Sequence, residues 1–204
     1  LDPLATRVKS TLAIAPRNGT EPGAPLTLDG EELTLVSIKI DGEVLADSAF
    51  TVTPDSLTIH LVPHAPFTLE IETSIAPLNN KALSGLYLAE QIYCTQCEAE
   101  GFRRMTYFLD RPDVLSVYSV RIEAPQNVAP ILLANGNLTN CGTLKAGWHF
   151  AEWHDPHPKP SYLFALVGAD LGLIRDEFTT LSGRKVELRI YVEHGKEAMA
   201  DYAM

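Results

Sequence analysis

The sequence has no apolar run approaching the roughly 20 residues of a membrane-spanning helix, so no such helix and no membrane partner are expected. Its opening, Leu1–Ser10, is broken by Asp2, Pro3, Arg7 and Lys9 and lacks the apolar stretch of a secretory signal. No Met stands first, and the natural start is expected upstream of Leu1. Basic residues are scarce: 16 Lys and Arg face 26 Asp and Glu, a formal net charge of −10. Such a surface repels phosphate backbones, which argues against a nucleic-acid partner. The cysteines are few and odd in number (Cys94, Cys97 and Cys141). A disulfide framework is therefore not expected, and a reducing cytoplasm is the simplest setting. In that setting the sequons Asn18-Gly19-Thr20 and Asn137-Leu138-Thr139 are chance matches.

Helical periodicity is also nearly missing. What is present is apolar–polar alternation of period two, cut by turn residues. With 46% hydrophobic residues in 204, there is material for one large all-β domain or two small ones. Thr6–Ile14, a stretch through Leu33, Leu35, Ile38 and Ile40, Val44–Val52, Ser56–Leu61 and Phe67–Ile75 read as strands. Further strands are expected at Ser116–Ala124, Ile131–Ala134, Leu138–Thr143, Gly147–Trp153, Tyr162–Val167, Gly172–Thr179 and Lys185–Val192. Asp41-Gly42 and Asn135-Gly136 are hairpin signals, because a type I′ turn needs positive φ at both central residues. The segment Ser84–Pro112 reads as irregular.

One stretch, Glu197–Met204, has helical spacing through Ala198, Met199 and Tyr202. It ends on an apolar face after about two turns, where a helix is marginal alone, so Met204 reads as a truncation point. The expected fold class is all-β: a saddle-like antiparallel multi-sheet sandwich, with the start of a helix at its C-terminal end. Residues 1–195 form the β-rich domain and 196–204 the beginning of that helix.

The chemistry concentrates in Cys94-Thr95-Gln96-Cys97-Glu98-Ala99-Glu100-Gly101-Phe102-Arg103-Arg104. Gln96 and Glu98 are two apart, so an extended backbone points both to one side. A carboxylate beside an amide carbonyl forms an acceptor pair suited to a primary ammonium, which carries three donors. A peptide's free α-amino group fits that description; its ordinary pKa of about 7.7–8.0 leaves much of it charged at neutral pH.

The run Thr95–Arg103, with Leu109-Asp110-Arg111-Pro112-Asp113, resembles the bacterial aminopeptidase N branch of the zinc-dependent gluzincin aminopeptidases. Leu83-Ser84-Gly85-Leu86-Tyr87, Leu132-Leu133-Ala134-Asn135-Gly136-Asn137, Asp155-Pro156-His157-Pro158-Lys159-Pro160 and Tyr162–Val167 follow in consistent order. The end, Ala200-Asp201-Tyr202-Ala203-Met204, resembles that family's entry into its catalytic domain. The resemblance implies an N-terminal, substrate-anchoring domain of a zinc metallo-aminopeptidase (a hydrolase of the membrane alanyl aminopeptidase type). In it Gln96 and Glu98 hold the free amine of the peptide substrate, and the enzyme's own catalytic domain is the partner. The family's His-Glu-x-x-His helix and Gly-Ala-Met-Glu-Asn strand do not occur in this sequence. Zinc is therefore expected in the full-length enzyme and none in this segment, which alone should hydrolyse nothing.

Arg103, Arg104, Asp110 and Arg111, with Asp113, are expected to form an ion-pair network bracing the Gln96–Glu98 loop. Tyr87, Tyr93, Phe102, Tyr107 and Phe108 are expected to pack the core and loop. Cys94-x-x-Cys97 lacks the second pair of a zinc ribbon, and no βαβ pattern supports a thioredoxin-like site. His154-x-x-His157 is expected in a rigid loop bordered by Pro156 and Pro158. Two other readings are a stand-alone β-sandwich peptide-binding or interaction module and a cysteine-based metal or redox protein.

Overall fold

The computed structural model describes residues 1–204. Sixteen strands follow in chain order: β1 (Thr6–Ile14), β2 (Leu26–Asp29), β3 (Thr34–Ile40), β4 (Glu43–Val44), β5 (Phe50–Val52), β6 (Ser56–Ile59), β7 (Phe67–Ile75) and β8 (Gly85–Ala89). The second half holds β9 (Ile92–Gln96), β10 (Ser116–Pro125), β11 (Ile131–Ala134), β12 (Asn137–Thr143), β13 (Trp148–Lys159), β14 (Leu166–Ala169), β15 (Gly172–Thr179) and β16 (Lys185–Val192). They form five antiparallel sheets, ordered β1-β7-β3-β4, β2-β6-β5, β11-β14-β9-β8, β10-β13-β12 and β15-β16. The all-β expectation holds. No α-helix is present, and none of the short 3₁₀ turns is long or apolar enough to cross a membrane.

Strand β7 shows why these residues choose sheets. Phe67, Leu69, Ile71, Thr73 and Ile75 are buried, and the four residues between them are only half-buried. A two-residue repeat does this on a pleated strand with one face inward. β7 pairs along its whole length with β1, from Thr6 opposite Ile75 to Ile14 opposite Phe67. The other edge of β7 carries β3, which turns back into β4 at Asp41-Gly42. Both turn residues have positive φ, 49° and 84°, as a type I′ turn demands.

Two apolar clusters fill the interior. One, centred on Leu28, Ile38, Leu57, Ile59, Leu69 and Tyr107, lies between the β2 and β7 sheets. The other gathers Leu86, Tyr93, Phe102, Phe108, Ile122 and Leu132 from the remaining large sheets. Asp29 links them: its N–H donates to Phe108 O at 2.8 Å, and Phe108 N–H returns a bond to Asp29 O at 3.1 Å.

Several expectations require correction. Asn135-Gly136 is a turn, but not a hairpin. β11 pairs with β14 and β12 with β13, so the turn carries the chain between sheets. A Cβ on Gly136 would lie 2.3 Å from His154 O, so the glycine is needed for this close crossing. The Asn135 side chain ties the crossover down, donating to Leu163 O at 3.1 Å and accepting from Ala165 N at 2.6 Å. Ser84–Pro112 is not irregular throughout, because its first half is the β8–β9 hairpin. Tyr162–Val167 splits into a 3₁₀ turn, Ser161–Leu163, and strand β14. His154 and His157 sit in β13 rather than a loop, with His157 in the stretch where the pairing of β13 with β10 is irregular. At the C-terminal end, Glu197–Ala200 forms a 3₁₀ turn, not the first turns of an α-helix.

Candidate functional site

The site begins where β9 ends. Gln96 is the last residue of β9 and is exposed; Cys97 is buried; Glu98 is again exposed. The alternation therefore plugs Cys97 into the core and leaves Gln96 and Glu98 outside, flanking it. Burial pushes the Cys97 thiol up to about 12, so this sulfur is a packing group. The Gln96 side-chain amide donates from Nε2 to Glu98 O at 3.2 Å. That bond uses the amide nitrogen internally and leaves Oε1 as the free end of the side chain. The Glu98 carboxylate is exposed and engages no other side chain. The Glu98–Ala99 peptide is cis.

Two glycines permit this arrangement. The loop closes on itself, with Gly101 N–H donating to Cys97 O at 2.8 Å. A Cβ on Gly101 would lie 2.1 Å from Gln96 O and 2.8 Å from Gly85 N. Gly85, at φ +74°, faces Gly101 O and the Arg104 Cβ at similarly close range. Both residues stand in the motif read from sequence, but their role depends on a backbone-to-backbone approach that no spacing reveals.

The basic residues do not form one network. Asp110 is buried and meets Arg103 three times, accepting at Oδ2 from the Arg103 backbone N (3.1 Å) and Nε (3.0 Å) and at its backbone O from Nη2 (3.1 Å). Its other oxygen accepts from the Ser161 hydroxyl, and its own N–H donates to Asp29 Oδ2 at 3.1 Å. Burial works to lower the Arg103 pKa, but the Asp110 hydrogen bond and the nearby charges of Asp29, Asp110 and Glu100 raise it on balance. Arg104 turns to Glu31 and Glu32, at 2.8 and 2.9 Å. Arg111 stands apart in an exposed pair with Asp113 at 3.2 Å. The partners Glu31, Glu32, Asp29 and Ser161 were not legible from sequence, since each lies more than 50 residues from the basic or acidic group that it meets.

Below the loop, Phe102 packs on Phe108 and Phe164 with ring centroids 4.9 and 5.2 Å apart. Thr73 Oγ1 donates to Met105 O at 2.7 Å and pins the same segment to β7. These aromatics are core groups. Tyr87 and Cys94 share a side-chain hydrogen bond that raises the Tyr87 pKa. Cys141 is exposed on β12, in a different sheet from Cys94 and Cys97. No three His, Cys, Asp or Glu side chains converge. A separate groove of about 1500 Å³ runs between β1 and β10 and is not lined by Gln96 or Glu98.

Comparison with known proteins places the fold. The model of the peptidase M1 N-terminal domain matches residues 7–163. Aminopeptidase N of Caulobacter vibrioides is 53% identical over 204 residues, all of this chain and 23% of that protein. Aminopeptidase N of Escherichia coli is 47% identical over 197 residues, 97% of this chain and 22% of that protein. The crystal structure of Legionella pneumophila aminopeptidase A in complex with aspartic acid superposes with a TM-score of 0.92 at 37% identity, over 97% of this chain and 23% of that one. An M1 zinc metallopeptidase from Deinococcus radiodurans shares the fold, with a TM-score of 0.75 at 20% identity over 93% of this chain and 44% of its own. The chain thus spans under a quarter of the curated relatives' length. On the match across most of its residues, the chain belongs to the peptidase M1 N-terminal domain family.

Proposed function

We propose that this chain is the substrate-anchoring part of a longer zinc-dependent aminopeptidase, and that Gln96 Oε1 and the Glu98 carboxylate together hold the free α-amino group of a peptide. The observation that carries the reading is the Gln96 Nε2 bond to Glu98 O, which occupies the amide nitrogen and leaves its oxygen free, on a loop where Gln96 and Glu98 are both exposed. Two acceptors side by side match a cationic donor and repel an acidic one. An internal stretch of peptide has no ammonium to offer and would leave both acceptors unpaired, which favours removal of residues from the N-terminus. The zinc chemistry belongs to the catalytic domain of the longer protein, and the cytoplasm is the setting that fits three unpaired cysteines.

The test is made in the full-length enzyme. Each charge-assisted hydrogen bond to the amine is worth about 1.5–3 kcal/mol, so Glu98→Ala should lower kcat/KM on unblocked peptides by roughly tenfold to a hundredfold. Unchanged kinetics on those peptides would remove Glu98 from the role. The 204 residues alone are expected to leave peptides uncut; zinc-dependent release of first residues by this segment would refute the division of labour.

A further inference from the structure

Strand β9 lies between β8 and β14, and its two ladders end at different places. Toward β8 the pairing runs on to Gln96, opposite Gly85. Toward β14 it stops at Cys94, opposite Val167. The next pair in that register would be Thr95 with Leu166, and there a side chain replaces the ladder. Thr95 Oγ1 accepts from Leu166 N at 2.9 Å and donates to Leu166 O at 3.4 Å. One hydroxyl thus satisfies both backbone groups that the ladder leaves open at Leu166. Beyond this point β9 parts from β14, and Gln96 leaves the sheet.

Leu166 is a fixed post for that contact. Residues 161–165, which lead into β14, are tied from three sides. The Ser161 hydroxyl donates to Asp110. Asn135 accepts from Ala165 N at 2.6 Å and donates to Leu163 O at 3.1 Å. The Phe164 ring packs on Phe102 at 5.2 Å between centroids. The far end of the Gln96–Glu98 loop is therefore gripped through Asp110 and Phe164, and its near end through Thr95. Thr95 points the same way as the buried Tyr93 and Cys97, and Gln96 and Glu98 are exposed. On an extended chain neighbours face opposite ways, so holding the Thr95 side chain inward holds the Gln96 side chain outward.

We infer that Thr95 is a positioning residue for the amine-binding pair: its hydroxyl, locked on the Leu166 backbone, sets the direction in which Gln96 and then Glu98 leave the sheet. The inference rests on the amine-binding reading of those two residues, and Thr95 acts through them rather than on the ligand. Recognition groups have to be held to within about 0.5 Å of their working geometry. A shift of about 1 Å costs on the order of a hundredfold, so a partial slackening at Thr95 should cost about tenfold.

Inhibition of the full-length enzyme tests it, with leucine hydroxamate and isocaprohydroxamic acid, the same molecule without its amine. The ratio of the two inhibition constants reads the amine alone and is insensitive to how much enzyme is folded. Thr95→Val keeps the shape and removes the hydroxyl; it should shrink the amine's advantage about tenfold, and Thr95→Ser should restore it. A Ser variant no better than Val would assign the loss to packing and overturn the inference. Glu98→Ala is measured alongside. If Glu98→Ala shrinks the advantage and Thr95→Val does not, the role of Thr95 falls while that of Glu98 stands. If neither does, both fall. If only Thr95→Val does, Thr95 serves some other amine contact and its link to the pair is refuted. Should Thr95→Val fail to fold, exchanging Leu166 for its α-hydroxy acid deletes only the N–H that Thr95 accepts. A shrunken ratio there supports the inference, and an unchanged one overturns it.

Discussion

Replacing Asp110 by Ala removes the group on which the Gln96–Glu98 loop is hung. The Asp110 side chain is 1% exposed and its partner Arg103 15%, so both charges are largely withdrawn from water. The carboxylate accepts from Arg103 Nε at 3.0 Å, from the Arg103 backbone at 3.1 Å and from the Ser161 hydroxyl. Breaking a buried pair from one side costs about 3–5 kcal/mol, because the remaining charge stays desolvated and unanswered. For a domain of this size each kcal/mol moves Tm by about 2–4 °C, so Asp110→Ala should lower it by roughly 10 °C. Arg111→Ala is the matched control: its pair with Asp113 is more than half exposed on both sides, and such pairs contribute about 0–1 kcal/mol. Thermal and urea unfolding of the two variants read the difference directly. If Asp110→Ala lost no more stability than Arg111→Ala, the assignment of Asp110 as the loop's buried anchor would fail.

Gly101→Ala should cost about 3 kcal/mol by overpacking, since the new methyl meets backbone atoms of Gln96 and Gly85 that have no easy retreat; urea unfolding measures it. Mass spectrometry of alkylation at pH 8 should show Cys141 modified first and Cys97 last, because Cys97 is buried with its thiol pushed up to about 12. His194 should titrate above its ordinary 6.5, chiefly through its hydrogen bond to Asp170. The pairing therefore contributes fully below the ordinary 6.5 and is lost as pH climbs above it through the raised folded pKa. An NMR titration should find it, and Asp170→Asn should return His194 toward normal.

The parts legible in the sequence were those that a period or a local turn encodes. β7 could be read residue by residue because one face is buried and the other is not. The β15–β16 pair could be read because it folds only on itself, from Gly172 opposite Val192 to Thr179 opposite Lys185. Asn135-Gly136 misled because positive φ is a property of the turn, whereas hairpin pairing depends on where the next strand finds its partner. Strand β2, four residues with one buried, is too short to announce a period. For the site, the two-residue spacing suggests that Gln96 and Glu98 point to one side, and both are exposed on either side of the buried Cys97. The amide bond between them, and the attachment of Asp110 to Ser161 across 51 residues, are tertiary facts with no local signal.

The pair of backbone hydrogen bonds between Asp29, at the end of β2, and Phe108 is the only isolated β-bridge of the fold. It is also the place where the two interiors are stitched together, and the Asp29 carboxylate extends the stitch to the nitrogen of Asp110. Injury far from the Gln96–Glu98 loop, such as thinning the packing around Leu28 or Leu57, should therefore be felt there as a slackened tether. Selection for a well-set loop would then act on residues far outside it.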